Sequence, residues 1–144
     1  MSFNWLKMRI SEEQDRRRRD AQIRDRLPRA TDDLRNALSS CVQSYTNAFG
    51  AEAAELQSGP GDISVIVREE RGGEWQTRAK VEIAIVESVP GFQIHYDGQS
   101  HVIEVGLLPG DKLFYRDREK DQYVSMDEVT HLALDRAFFP KLKE

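Results

Sequence analysis

The feature that most restricts this chain is a change of apolar period at Ser58-Gly59-Pro60-Gly61. Before it, Leu34, Ala37, Leu38, Cys41, Val42, Tyr45, Ala48 and Phe49 recur at three-and-four spacing, which lays one apolar stripe along a helix. Beyond it the period becomes two, the alternation of a strand with one buried face. Each element then has one apolar face to cover, and covering both at once means placing helix on sheet.

Two helices are predicted ahead of the change. Ser11 followed by Gln14 has the form of a capping box, and strong helix formers continue to Leu27-Pro28, where a first helix should stop. Its apolar positions, essentially Ala21, Ile23 and Leu27, are too sparse for a broad stripe, so it is expected to project or fray. A second helix starts at Thr31-Asp32-Asp33 and ends at Gly50, a residue suited to a helix C-terminus. Residues 1–30 are therefore read as a charged helical extension and residues 31–144 as a single α+β domain.

Strand register follows from asking which loop lengths put apolar residues of neighbouring strands on one face. A three-residue loop Arg71-Gly72-Gly73 sets Ile63, Val65 and Val67 beside Trp75, Thr77, Ala79 and Val81, with Gly73 left-handed. Ser88-Val89-Pro90-Gly91 has Pro and Gly at the positions of a type II turn and brings Ile83 and Ile85 beside Phe92, Ile94 and Tyr96. Asp97-Gly98 is a type I′ signal that keeps Phe92 and Ile94 on the face of Ile103 and Val105. Pro109-Gly110 is read as returning the chain so that Phe114 joins this inner row. Ser125-Met126-Asp127-Glu128 is a second capping box; it opens a helix with Val129, Leu132, Ala133 and Phe138 that ends before Pro140.

The predicted fold class is α+β: two N-terminal helices, a five-stranded antiparallel β-meander and a C-terminal helix, with the helices packed on the sheet. Ile66, Val86, Val102, Leu108, Leu113 and Tyr115 would point away from the inner row. That face is too apolar to be fully wet: the C-terminal helix is expected to cover it, the alternative being another chain.

Composition removes several classes of function. Within 144 residues, 39% are hydrophobic and 32% charged, enough for one core without staples. Cys41 is the single cysteine, so no internal disulfide is possible and a reducing compartment fits. The N-terminal MSFNWLKMRI runs directly into charges, unlike a secretory signal, and no segment has eighteen uninterrupted apolar residues. A soluble, intracellular, cytoplasmic protein without a transmembrane segment is expected. A net charge of −4 gives no overall attraction to nucleic acid or anionic lipid.

No catalytic residue, metal ligand or cofactor is assigned by motif. With an even loop at Asp97-Gly98, His95 shares a face with Gln93, Val102 and Glu104, while His101 shares one with Ile94 and Ile103, so the two histidines cannot hold one ion. His131 has no motif around it. The carboxylates Glu69, Glu70, Glu74, Glu82, Glu87 and Glu104 fall on hairpin edges or the outer face as solvated charges. Ser39-Ser40-Cys41 lacks a base beside it, and Gly59-Pro60-Gly61 precedes a strand where a phosphate loop would precede a helix.

Arg16-Arg17-Arg18-Arg19 is the most conspicuous run. Between Ser11 and Arg29, however, seven arginines stand against Glu12, Glu13, Asp15, Asp20 and Asp25, a balance of 7 − 5 = +2. Pairs such as Glu12 with Arg16 and Asp20 with Arg24 are at helical spacing, so a self-paired solvated helix is the expectation and nucleic acid is not the expected partner.

Two surfaces remain for function. Phe3, Trp5 and Leu6, with Met8 and Ile10, precede any core element; either they fold back onto the domain or they form an interface for a protein partner, a second copy or, less readily, a membrane surface. Tyr96, His101 and Tyr115 are polar tips at the end of an apolar row, a candidate ligand site at one end of the sheet. The favoured expectation is a non-enzymatic protein-interaction or accessory domain that self-associates through residues 1–27 or the outer sheet face. The alternatives are a small-molecule binding or catalytic domain at the sheet end, and nucleic-acid binding through the arginine run.

Overall fold

In the computed structural model, which describes residues 3–140, Pro28 does not end the first helix. One helix, α1 (Asn4–Phe49), replaces the two expected. Pro28 has no N–H for the Arg24 carbonyl and its ring crowds that oxygen, a cost of about 3 kcal/mol. Against it stand Ile23 and Leu27, both buried before the proline, at about 1.5–3 kcal/mol each. With Ala30, Thr31 and Leu34 continuing the stripe beyond Pro28, tertiary burial outweighs the local penalty. Thr31, read as part of a helix start, lies inside the helix and donates its hydroxyl to the Leu27 carbonyl at 2.8 Å. Ser11 is likewise interior, and α1 begins after Phe3 with no side-chain cap.

Seven strands follow where five were expected, paired antiparallel in sequence order. They are β1 (Ala54–Ser58), β2 (Asp62–Arg71), β3 (Glu74–Val86), β4 (Gly91–Tyr96), β5 (Gln99–Leu108), β6 (Lys112–Asp117) and β7 (Gln122–Val124). The two additions are the edges. β1 escaped notice because the Gly59-Pro60-Gly61 cluster is not the entrance to the sheet but the loop of its first hairpin, with Ser58 opposite Ile63. β7 is three residues long, too short to show a period.

The inner face runs through Val65 opposite Val81, Ile83 opposite Ile94, Phe92 opposite Ile103, and Val105 opposite Tyr115. Three turns differ from expectation. The β2–β3 loop is Gly72-Gly73, both at positive φ, and the parity it would break is restored by a bulge that leaves Arg78 as the extra residue. Gly91 lies inside β4, opposite Val86 and Glu104, rather than in a turn; a Cβ there would collide with the Ile103 carbonyl. The β5–β6 loop has three residues, Pro109 to Asp111, and this odd length exchanges the faces of β6. Tyr115 and Leu113 therefore point inward, whereas Phe114 points outward across Gly106.

The last helix, α2 (Met126–Phe138), opens with the expected capping box: Ser125 Oγ accepts from Glu128 N at 3.1 Å, and the Glu128 carboxylate accepts from Ser125 N at 3.2 Å. It packs against α1, β3, β4 and β7, on the face α1 already occupies. The expectation that α2 covers the outer face is thus corrected, and among the described residues that face carries no second layer. Its half-buried Ile66, Val86 and Val102 are interleaved with Glu82, Gln93, His95 and Arg116, the mixture of a sheet with one solvated side.

Candidate functional site

α1 outruns the sheet. At 46 residues it is about 69 Å long; its first buried side chain is Ile23, and Arg19 and Gln22 line a cleft with Leu107 to Asp111, so residues 19–30 lie against the domain while residues 3–18 form an arm. The arm is laced by ion pairs at three-and-four spacing: Arg9 with Glu12, Glu13 with Arg16 and Arg17, Asp15 with Arg18, and Arg16 with Asp20. Glu12 and Asp20 thus pair with other arginines than expected: Arg16 is taken by Glu13 and Asp20, and Arg24 reaches the Glu87 carbonyl at 3.1 Å and, with Arg26 on Asp111 at 2.9 Å, ties the arm's root to sheet loops. The hydrogen bonds from Arg16 and Arg17 hold the Glu13 carboxyl well below its ordinary value, at about 2. Three of the four consecutive arginines are engaged by carboxylates within one turn, which leaves little of the run as an uncompensated basic face.

At the arm's tip Phe3, Trp5, Leu6, Met8 and Ile10 are all exposed, Trp5 to 66% and Met8 to 64%. Phe3, Leu6 and Ile10 fall in one stripe at three-and-four spacing, and Lys7 and Arg9 lie to either side of it. The candidate interface residues Phe3, Trp5 and Leu6 share one projecting turn, with Phe3 and Leu6 in the stripe and Trp5, like Met8, on another side of the helix.

At the opposite end of α1 a groove of about 530 Å³ runs between α1 and α2. Tyr45 stacks on Phe138 with ring centroids 4.2 Å apart, and Phe49 and Phe139, each more than half exposed, stand at its mouth. Ser40, Cys41, Ser44 and Ala48, small residues at helical spacing, form its α1 wall, and Asp127 and Asp135 its α2 rim. The bulged Arg78 secures this corner: its Nη2 donates to the carbonyls of Ala137 at 2.7 Å and Phe138 at 2.9 Å and to the Tyr45 hydroxyl at 3.3 Å. A guanidinium on the last carbonyls of α2 satisfies acceptors that have no partner within the helix. Sequence reasoning missed the groove. Its signals were present: the small residues repeat beside the buried stripe of α1, and Phe138-Phe139 sits just ahead of Pro140.

Of the candidate ligand residues, Tyr96 and His101 line one cleft of about 370 Å³ with Lys120, His131 and Arg136. His101 is opposite Ile94 and His95 opposite Ser100, so the two histidines occupy different faces. The His101 Nδ1 lies 2.7 Å from Glu119 Oε2, but the contact is out of line with the ring N–H and makes no directed hydrogen bond. Tyr115 is elsewhere, buried in the inner row with its ring 6.2 Å from that of Phe92. Burial pushes its phenol up, Asp33 adds to the shift and Arg29 opposes it, so the group stays neutral near pH 7.

Among the described residues no three His, Cys, Asp or Glu side chains converge as a metal site, and no helix is long and apolar enough to cross a membrane. Compared with protein-family models, with curated proteins and with solved structures, the chain matches none. What fold and site define is a class of architecture: a two-layer α+β domain, one helix of which continues as an arm tipped with exposed aromatic and aliphatic side chains.

Proposed function

We propose that this chain is a protein-interaction domain that self-associates through the arm of α1. The observation that carries the reading is the exposure of Phe3, Trp5, Leu6, Met8 and Ile10 on a helix held away from its own core. Burying such side chains is worth about 1.5–3 kcal/mol apiece, whereas association costs roughly 4–15 kcal/mol in lost freedom. Several tip side chains must therefore be covered together for a complex to persist, and contacts made twice between two copies double the buried set. The arm's internal ion pairs keep it helical without tertiary support, so it presents the tip with little ordering cost.

The test is the solution mass, by light scattering, of the native chain and of a Trp5→Glu, Leu6→Glu double variant. A native dimer or larger species that becomes monomeric in the variant is the expected result. A native chain that stays monomeric at the highest attainable concentration overturns it.

A second reading, small-molecule binding at the Tyr96–His101 cleft, is favoured by one observation: Lys120 and Arg136 line the same opening, two cations against the single carboxylate Asp135, a balance suited to an anion. Chemical-shift changes confined to those residues on titration with inorganic phosphate would support it, and a flat response would end it.

A further inference from the structure

We propose that the groove between α1 and α2 receives the arm tip, residues 3–10, of a second copy of this chain. This rests on the self-association reading and names the surface on which the tip lands.

Among the described residues, tip and groove are the two places where apolar side chains cluster exposed on helices: Phe3, Trp5, Leu6, Met8 and Ile10 at one end, Phe49 and Phe139 at the other. They cannot meet within one molecule. Both sit on α1, and from Ile10 to Ser40 the unbroken helix covers about 45 Å. An occupant of this groove with the tip's chemistry must come from another molecule.

The groove suits a helix with an apolar stripe. Its α1 wall is built of small side chains, so an incoming helix can approach closely, and its aromatic end offers a pocket for a large anchor. Phe3, Leu6 and Ile10 have the spacing of helix-in-groove anchors. Charge matches as well. The α2 rim presents Asp127 and Asp135, while the charged residues of the tip are Lys7 and Arg9, one on each side of the stripe. Whichever direction the helix enters, one cation faces that rim. Reciprocal exchange of tips closes a two-fold dimer; one-way insertion builds an open chain of copies.

Cys41, the single cysteine, lines the groove and supplies the test. Leu6→Cys and Ile10→Cys, each in the full chain, should on mild oxidation give a disulfide from the introduced thiol to Cys41 of another molecule, identified by peptide mass and lost in Cys41→Ser. Ala48→Arg, an exposed change in the groove wall, should weaken association on the order of tenfold or more, with an unfolding midpoint no lower than that of the monomeric Trp5→Glu, Leu6→Glu variant. If association is lost in the tip variant but the introduced thiols link only to each other and Ala48→Arg leaves the mass unchanged, the tips pair directly: self-association stands and the groove inference falls. If the native chain is monomeric, both fall. A closed dimer and a concentration-dependent ladder of masses separate reciprocal from one-way insertion, and either supports the inference.

Discussion

Glu13 and Arg78 show how single side chains hold the two ends of the molecule. Glu13 accepts from Arg16 and Arg17, and its carboxyl is lowered from 4.5 to about 2. A group lowered in the folded state contributes above its unfolded value and loses that contribution as pH falls through the folded one, so the arm's helical signal should decline between pH 4.5 and 2. The group is exposed, so added salt should shrink the effect. Circular dichroism of the native chain and of Glu13→Gln, in which this component of the transition is absent, checks it. At the other end Arg78 donates to two carbonyls of α2 and to Tyr45. Arg78→Met should cost about 1–3 kcal/mol, since it leaves the Ala137 carbonyl unpartnered and the Phe138 carbonyl with only the Tyr45 hydroxyl, 3.4 Å away. Urea unfolding measures this, and a change of a few tenths would mean that water replaces the guanidinium.

At the scale of elements, α1 is the case where a local rule and the fold disagree. A proline that should end a helix sits inside one because the stripe continues on both sides of it, from Ile23 to Tyr45. Pro28→Ala restores the donor to Arg24 and removes the crowding, against a loss of about 0.4–1 kcal/mol in unfolded-chain restriction. The net expectation is a gain of about 2–2.6 kcal/mol in unfolding free energy, and an unchanged urea midpoint would show that the helix has already relaxed around the ring. The bulge in β2–β3 is the second such case. The Gly72-Gly73 turn and the apolar rows demand opposite parities; the extra residue Arg78 reconciles them and is aimed at the end of α2 as a result. In β5–β6 an odd loop decides that Tyr115 is core and Phe114 is surface, a choice that both aromatic residues would satisfy equally by composition.

For the molecule as a whole, arm and domain should behave as separable parts. Residues 3–10 touch no buried element of their own chain, so deleting residues 1–10 should leave the thermal midpoint within about a degree or two, the scale of a few tenths of a kcal/mol in a domain of this size, while the solution mass falls. A large drop in midpoint together with the mass would instead indicate that folding and association are one process.

The alternation from Ile63 to Val105, the capping box at Ser125 and the apolar stripe of Leu34 to Tyr45 were legible in the sequence, because period and caps are properties of a few neighbouring residues. They determined an antiparallel sheet under helices, a C-terminal helix, and a tip whose aromatic residues had no local use. Only tertiary structure decided that the helix passes through Pro28, that two short edge strands complete the sheet, that α2 shares a face with α1, and that Tyr115 parts from Tyr96 and His101. Each of those outcomes depends on burial summed over residues far apart in sequence, or on the parity of a loop, and a difference of a few kcal/mol or of one residue reverses it without leaving a local trace.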